Sequence, residues 1–125
     1  TLADLKRNNR GIAILGDMLE LGHQGAAAHL TLGKQVKEHN IEFLAAFGSL
    51  AKNIVTGARD AGMKPETARH FRSKKELVAW LAELVRTGRI GAGDWLLVKG
   101  SRGMRMEEVL ELLRHTDSPL LAGGN

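Results

Sequence analysis

The sequence has no cysteine, no tyrosine and only two prolines. Without thiols there is no disulfide framework, no thiolate nucleophile and no zinc–thiolate site, which fits a chain kept in a reducing compartment. Nucleic-acid binders gather positive charge on one face and add stacking rings. Here the only aromatic side chains are Phe43, Phe47, Phe71, Trp80 and Trp95, most of them inside apolar runs. No apolar stretch approaches the ~18 residues of a membrane-crossing helix, and residues 1–10 lack the apolar centre of a signal peptide. The expectation is a cytoplasmic protein with no nucleic-acid partner and no membrane insertion.

What is present is an ordinary globular composition of 125 residues, 43% hydrophobic and 26% charged, enough for one domain with one core. The excess of 18 Lys and Arg over 14 Asp and Glu favours anionic ligands, although the positive charge is spread along the chain.

Four short apolar runs, 11–15, 43–47, 68–71 and 95–99, are too short for helices and read as strands. Between and after them, 26–39, 50–61, 74–86 and 104–115 carry apolar residues at three- and four-residue spacing and read as amphipathic helices. Ser73 and Glu76 have capping-box spacing at the start of the third helix. Asn40, Gly62 and Gly88 each stand where a left-handed residue would end a helix. Alternating strands and helices with short links predict an α/β fold, Rossmann-like and doubly wound, with a mostly parallel sheet and flanking helices. Residues 1–10 read as the end of a helix running into a turn, with a preceding strand expected upstream of Thr1. The domain is expected over 1–115, with 116–125 as a tail.

In open α/β sheets ligands gather at the carboxyl ends of the strands. After the first strand comes Gly16-Asp17-Met18-Leu19-Glu20-Leu21-Gly22, in which Asp17 could accept hydrogen bonds from a ribose or, with Glu20, simply cap or solvate the loop. After the fourth strand comes Lys99-Gly100-Ser101-Arg102-Gly103-Met104-Arg105, expected to run directly into a helix. Its cations and a helix N-terminus suit a carboxylate or phosphate; alternatively Ser101 caps the helix and the cations are solvated. No G-x-x-x-x-G-K-[ST] loop, H-E-x-x-H or G-x-S-x-G occurs, and the five histidines show no i, i+4 pairing, so neither a metal site nor serine chemistry is expected. His29 could touch a ligand, but reads more readily as a surface or helix-packing residue.

The two loops, in order and each following an apolar strand, resemble the Mur ligase family. His29 and Gly33 also fall where that family's first helix has a His and a Gly. The resemblance implies the closing domain of a three-domain ligase that uses ATP and Mg2+ to convert a UDP-N-acetylmuramoyl-tripeptide carboxylate into an acyl phosphate. The acyl group then passes to the amine of D-Ala-D-Ala, a step in peptidoglycan precursor synthesis. It further implies that the N-terminal and central domains of the same chain are partners, and that phosphates and metal are held mainly by the central one. By position, Asp17 and Glu20 become nucleotide-side contacts, and Lys99, Ser101 and Arg102 become contacts for the dipeptide carboxylate or developing charge. No catalytic residue is expected here, and the domain alone should be inactive. The competing expectation is a non-catalytic α/β ligand-binding or interaction module.

Overall fold

The computed structural model describes residues 11–18, 25–91, 93–101 and 104–114, with residues 113 and 114 in backbone only. The readings made above for residues 1–10, Glu20, Arg102 and 116–125 lie outside these. Strands β1 (Gly11–Gly16), β2 (Phe43–Phe47), β3 (Ala68–Phe71) and β4 (Trp95–Lys99) alternate with helices α1 (Gly25–Glu38), α2 (Lys52–Asp60), α3 (Lys74–Arg86) and α4 (Glu107–Arg114). The strands form one parallel sheet in the order β3-β2-β1-β4.

Strand alternation divides the apolar side chains between two faces. Ile12, Ile14, Phe43 and Ala45 face one way and join Leu77, Leu81 and Leu84 of α3 and Val109 of α4. Ala13, Leu15, Leu44 and Ala46 face the other way and meet Val36 of α1 and Ile54, Val55 and Ala58 of α2. The sheet is therefore wound on both sides, as expected from the sequence. Leu77 and Leu81 are fully buried, each contributing about 1.5–3 kcal/mol of transfer free energy.

Among the described residues β4 is covered on one face only. Leu96 and Val98 pack against the α3 and α4 side, whereas Trp95 and Leu97 on the other side are 46% and 39% exposed. Trp95 lies over Gly11, where any Cβ would stand 2.3 Å from the indole.

The helix boundaries follow local chemistry. Ser73 adopts an extended conformation and its hydroxyl accepts the Glu76 N–H at 3.1 Å, which starts α3 at Lys74. Asn40, Gly62 and Gly88 have φ of 58°, 119° and 76°, so all three stop positions use the left-handed region. α1 and α2 cross at two glycines: an added Cβ at Gly33 would meet the Ile54 carbonyl oxygen at 1.9 Å, and one at Gly57 would meet the Leu30 carbonyl oxygen at 2.0 Å. Backbone touches backbone there, which no larger residue permits.

The fourth helix departs from the sequence reading. It was expected from residue 104, but α4 begins at Glu107. The intervening chain forms a tight turn in which the Ser101 carbonyl accepts the Met104 N–H at 2.9 Å and Arg105 takes a φ of 49°. Met104 and Met106 leave helical register because they fill notches above the strand ends, which are described next.

Candidate ligand-facing edge

β1 and β4 lie side by side in register from Gly11↔Trp95 to Leu15↔Lys99, which brings both motif loops to the same carboxyl edge. Beyond the ladder the Ser101 N–H donates to the Asp17 carbonyl at 2.8 Å, so the two loops are bonded directly to each other. The structure thus brings Asp17, Lys99 and Ser101 together.

Asp17 is only 7% exposed, and its Oδ1 accepts the Ala51 N–H at 2.7 Å. Ala51 stands at the N-cap position of α2, and an alanine has no side chain with which to cap. A carboxylate 34 residues away performs that task, complementing the positive end of the helix. Of the two readings of Asp17, capping therefore describes one of its oxygens, with the capped helix belonging to another loop. Gly48 makes room for it: with φ of 122°, a Cβ there would stand 2.3 Å from Asp17 Oδ1. The Gly48 carbonyl in turn accepts from His70 Nε2 at 2.8 Å, which connects the ends of β2 and β3.

His29 is fully buried, which makes it a packing rather than a surface residue. Its Nε2 accepts the Met18 N–H at 3.0 Å, and its Nδ1 donates to the Gly25 carbonyl. His70, Gly48 and Ala51 were not singled out in the sequence. Their signal is weak, because a carbonyl-binding histidine and a helix start without a capping side chain become visible only when strand neighbours are known.

Glycines at the strand ends accommodate the methionines. A Cβ on Gly16 would meet Met106 Sδ at 2.7 Å, and one on Gly100 would meet Met106 Cγ at 2.5 Å. Gly100 therefore serves the approach of a side chain of the same domain. A cleft of about 430 Å³ remains beside them, bordered by Met18, Lys99, Gly100, Ser101 and Glu107. A second groove of about 590 Å³ runs from Lys99 and Leu97 to Leu32 and Val36 of α1. Lys99 borders both and is exposed.

The alternative in which Ser101 caps the fourth helix is corrected by the start of α4 at Glu107, six residues further on. The positive end of α4 is met by its own Glu107 and Glu108. The Lys74 ammonium donates to Glu108 Oε1 at 2.8 Å, and this hydrogen bond, followed by the charge of Lys74, holds the Glu108 carboxyl below the usual carboxylate range. Arg105 adds a smaller push in the same direction. Among the described residues no three His, Asp or Glu side chains are grouped to hold a metal ion, and no helix is long and apolar enough to cross a membrane.

Comparison with known proteins agrees with this geometry. The pattern of the Mur ligase, glutamate ligase domain matches residues 1–102. UDP-N-acetylmuramoyl-tripeptide–D-alanyl-D-alanine ligase of Bacillus subtilis (strain 168) is 32% identical over 116 residues, covering 93% of this chain. Two solved structures share the fold. MurF from Acinetobacter baumannii superposes with a TM-score of 0.74 at 23% identity, over 92% of this chain and 25% of that one. MurF ligase from Thermotoga maritima, crystallised in complex with ADP, gives 0.65 at 22% identity, over 91% and 25%. The chain spans about a quarter of the length of the curated relative, 24%. The match over 1–102 and the two loops bonded at the carboxyl edge lead to one conclusion: this chain belongs to the Mur ligase family and carries its glutamate ligase domain.

Proposed function

We propose that this chain is the C-terminal, closing domain of an ATP-dependent amide ligase that joins D-Ala-D-Ala to a UDP-N-acetylmuramoyl-tripeptide through an acyl phosphate. The observation that carries this reading is the 32% identity over 93% of the chain to a ligase named for that reaction. A domain with two bonded loops at one sheet edge suits closure over a nucleotide, because both loops move together. Closure excludes water, which protects an acyl phosphate from hydrolysis.

In this reading Asp17 and Glu20 lie on the nucleotide side. Lys99, Ser101 and Arg102 take the dipeptide carboxylate or the charge that develops as the amine attacks. ATP phosphates and Mg2+ are assigned chiefly to a central domain of the longer enzyme, since this sequence has no G-x-x-x-x-G-K-[ST] loop. The work would take place in the cytoplasm.

The test is phosphate release by the full-length enzyme carrying this chain. Release that requires ATP, the UDP-linked tripeptide and D-Ala-D-Ala together is expected, with none from the 125-residue chain alone. ATP turnover by that chain alone, or a full-length enzyme indifferent to the dipeptide, overturns the proposal.

A further inference from the structure

Asp17 and Met18 sit at the crossing of three hydrogen bonds that reach three other elements. The Asp17 carbonyl holds Ser101 in the loop after β4, the Asp17 carboxylate holds the start of α2, and the Met18 N–H is held by His29 of α1. Removing the third of these frees the peptide between Asp17 and Met18 to rotate. Rotation about that peptide turns the carbonyl that fixes Ser101, because the C=O and N–H of one peptide unit are rigidly opposed.

We infer that His29 is a positioning residue for the ligand-facing edge: its Nε2 lone pair fixes the Asp17–Met18 peptide and, through it, the place of Ser101. The second nitrogen makes this possible. Because Nδ1–H is donated to the Gly25 carbonyl one turn earlier in the same helix, the proton resides on Nδ1 and Nε2 is left as an acceptor. The imidazole therefore spans 11 residues of sequence from α1 to the strand end, with no direct contact to a ligand required. A leucine at this position would fill similar space but leave the buried Met18 N–H without a partner. The role rests on the proposed ligase reaction only for its kinetic consequence; the hydrogen-bond geometry stands apart from it.

The experiment uses the full-length enzyme with H29Q and H29N. A glutamine amide oxygen reaches the position of Nε2 and can accept from Met18, whereas an asparagine amide reaches only the position of Nδ1 and keeps the bond to Gly25. Both variants lose one of the two hydrogen bonds, so a purely structural role predicts similar losses of Tm and similar kinetics. A positioning role predicts that H29N lowers kcat/KM for D-Ala-D-Ala by about tenfold or more while H29Q restores it to within about threefold. Amide exchange followed by mass spectrometry supplies the second readout. Peptides covering 11–18 and 95–101 should exchange faster in H29N, with the β3 peptide 68–71 unchanged. Equal kinetics for the two variants at matched Tm, or unchanged exchange at 11–18 in H29N, overturns the inference. If the wild-type enzyme forms no amide with D-Ala-D-Ala, the ligase reading falls and the exchange comparison alone decides the role of His29.

Discussion

Gly33→Ala tests the packing of α1 on α2 most directly. The new methyl carbon would stand 1.9 Å from the Ile54 carbonyl oxygen, 2.8 Å from its carbon and 2.7 Å from the Ala58 nitrogen. Such contacts stop near 3.0 Å in real proteins, so the helices must part by about 1.1 Å. All three obstacles are backbone, and no rotamer change relieves them. A gap of that size forfeits roughly a quarter to a half of the dispersion energy of each atom pair it opens. The atoms concerned belong to Val36, Ile54 and Ala58, all within the core on this face. Overpacking costs typically about 1–3 kcal/mol, and the absence of side-chain relief places this site at or above the upper end. Alanine returns about 1 kcal/mol of helix propensity. The expected net loss is ~2 kcal/mol, or a Tm lower by about 6–10 °C for a domain of this size. Urea and thermal unfolding followed by circular dichroism measure it, with Gly91→Ala as control because no atom lies within 4 Å of a Cβ there. A Gly33→Ala variant as stable as the wild type refutes the reasoning, since it would mean that the helices can separate without loss.

Ser73→Ala removes the acceptor for the Glu76 N–H and should cost about 1 kcal/mol, read as a lower urea midpoint with an unchanged m-value. The Lys74–Glu108 pair predicts a pH dependence. The folded carboxyl titrates below its unfolded value, so its contribution is present above the ordinary carboxylate range and is lost as pH falls through the lowered pKa. Lys74→Met should therefore lower Tm at neutral pH and match the wild type in acid; a constant difference across the titration contradicts the pairing. In the full-length enzyme, Lys99→Ala and Arg102→Ala should raise the apparent KM for the dipeptide or lower kcat while leaving Tm unchanged, and wild-type kinetics in both would remove these residues from the site.

Much of this arrangement was legible because it rests on local rules. The strands at 43–47, 68–71 and 95–99 announce themselves as apolar runs between helical periods, and Asn40, Gly62 and Gly88 mark helix ends by their freedom at positive φ. The start of α4 was misread because Met106 stands at helical spacing to Val109 and Leu110, with Met104 just before it. Their true destination, the notches over Gly16, Gly48 and Gly100, depends on strands far away in sequence. The capping of α2 by Asp17 was hidden for the same reason. Ala51 has nothing to offer its helix, and its partner becomes apparent only when β1 and β2 are adjacent. The two loops could be recognised as motifs, but the bond between Asp17 and Ser101 is a property of the sheet order.

That order also assigns the edge a place in time. Strands β2 and β3 pair residues 24 apart, Leu44 with Ala68, and β1 and β2 pair residues 31 apart, Ile12 with Phe43. The β1–β4 seam joins Gly11 to Trp95, 84 positions away. In an otherwise open chain its closure entropy exceeds that of the β1–β2 pairing by about 0.9 kcal/mol. Contacts of large sequence separation form late, so the motif loops meet only when the rest of the sheet has been laid down. By the same logic β4, which among the described residues lies at the sheet margin with one face uncovered, is the strand whose detachment dismantles the edge while leaving the β1–β2–β3 half intact. Loss of ligand binding should then precede global unfolding, which makes the edge a sensor of the last step of folding.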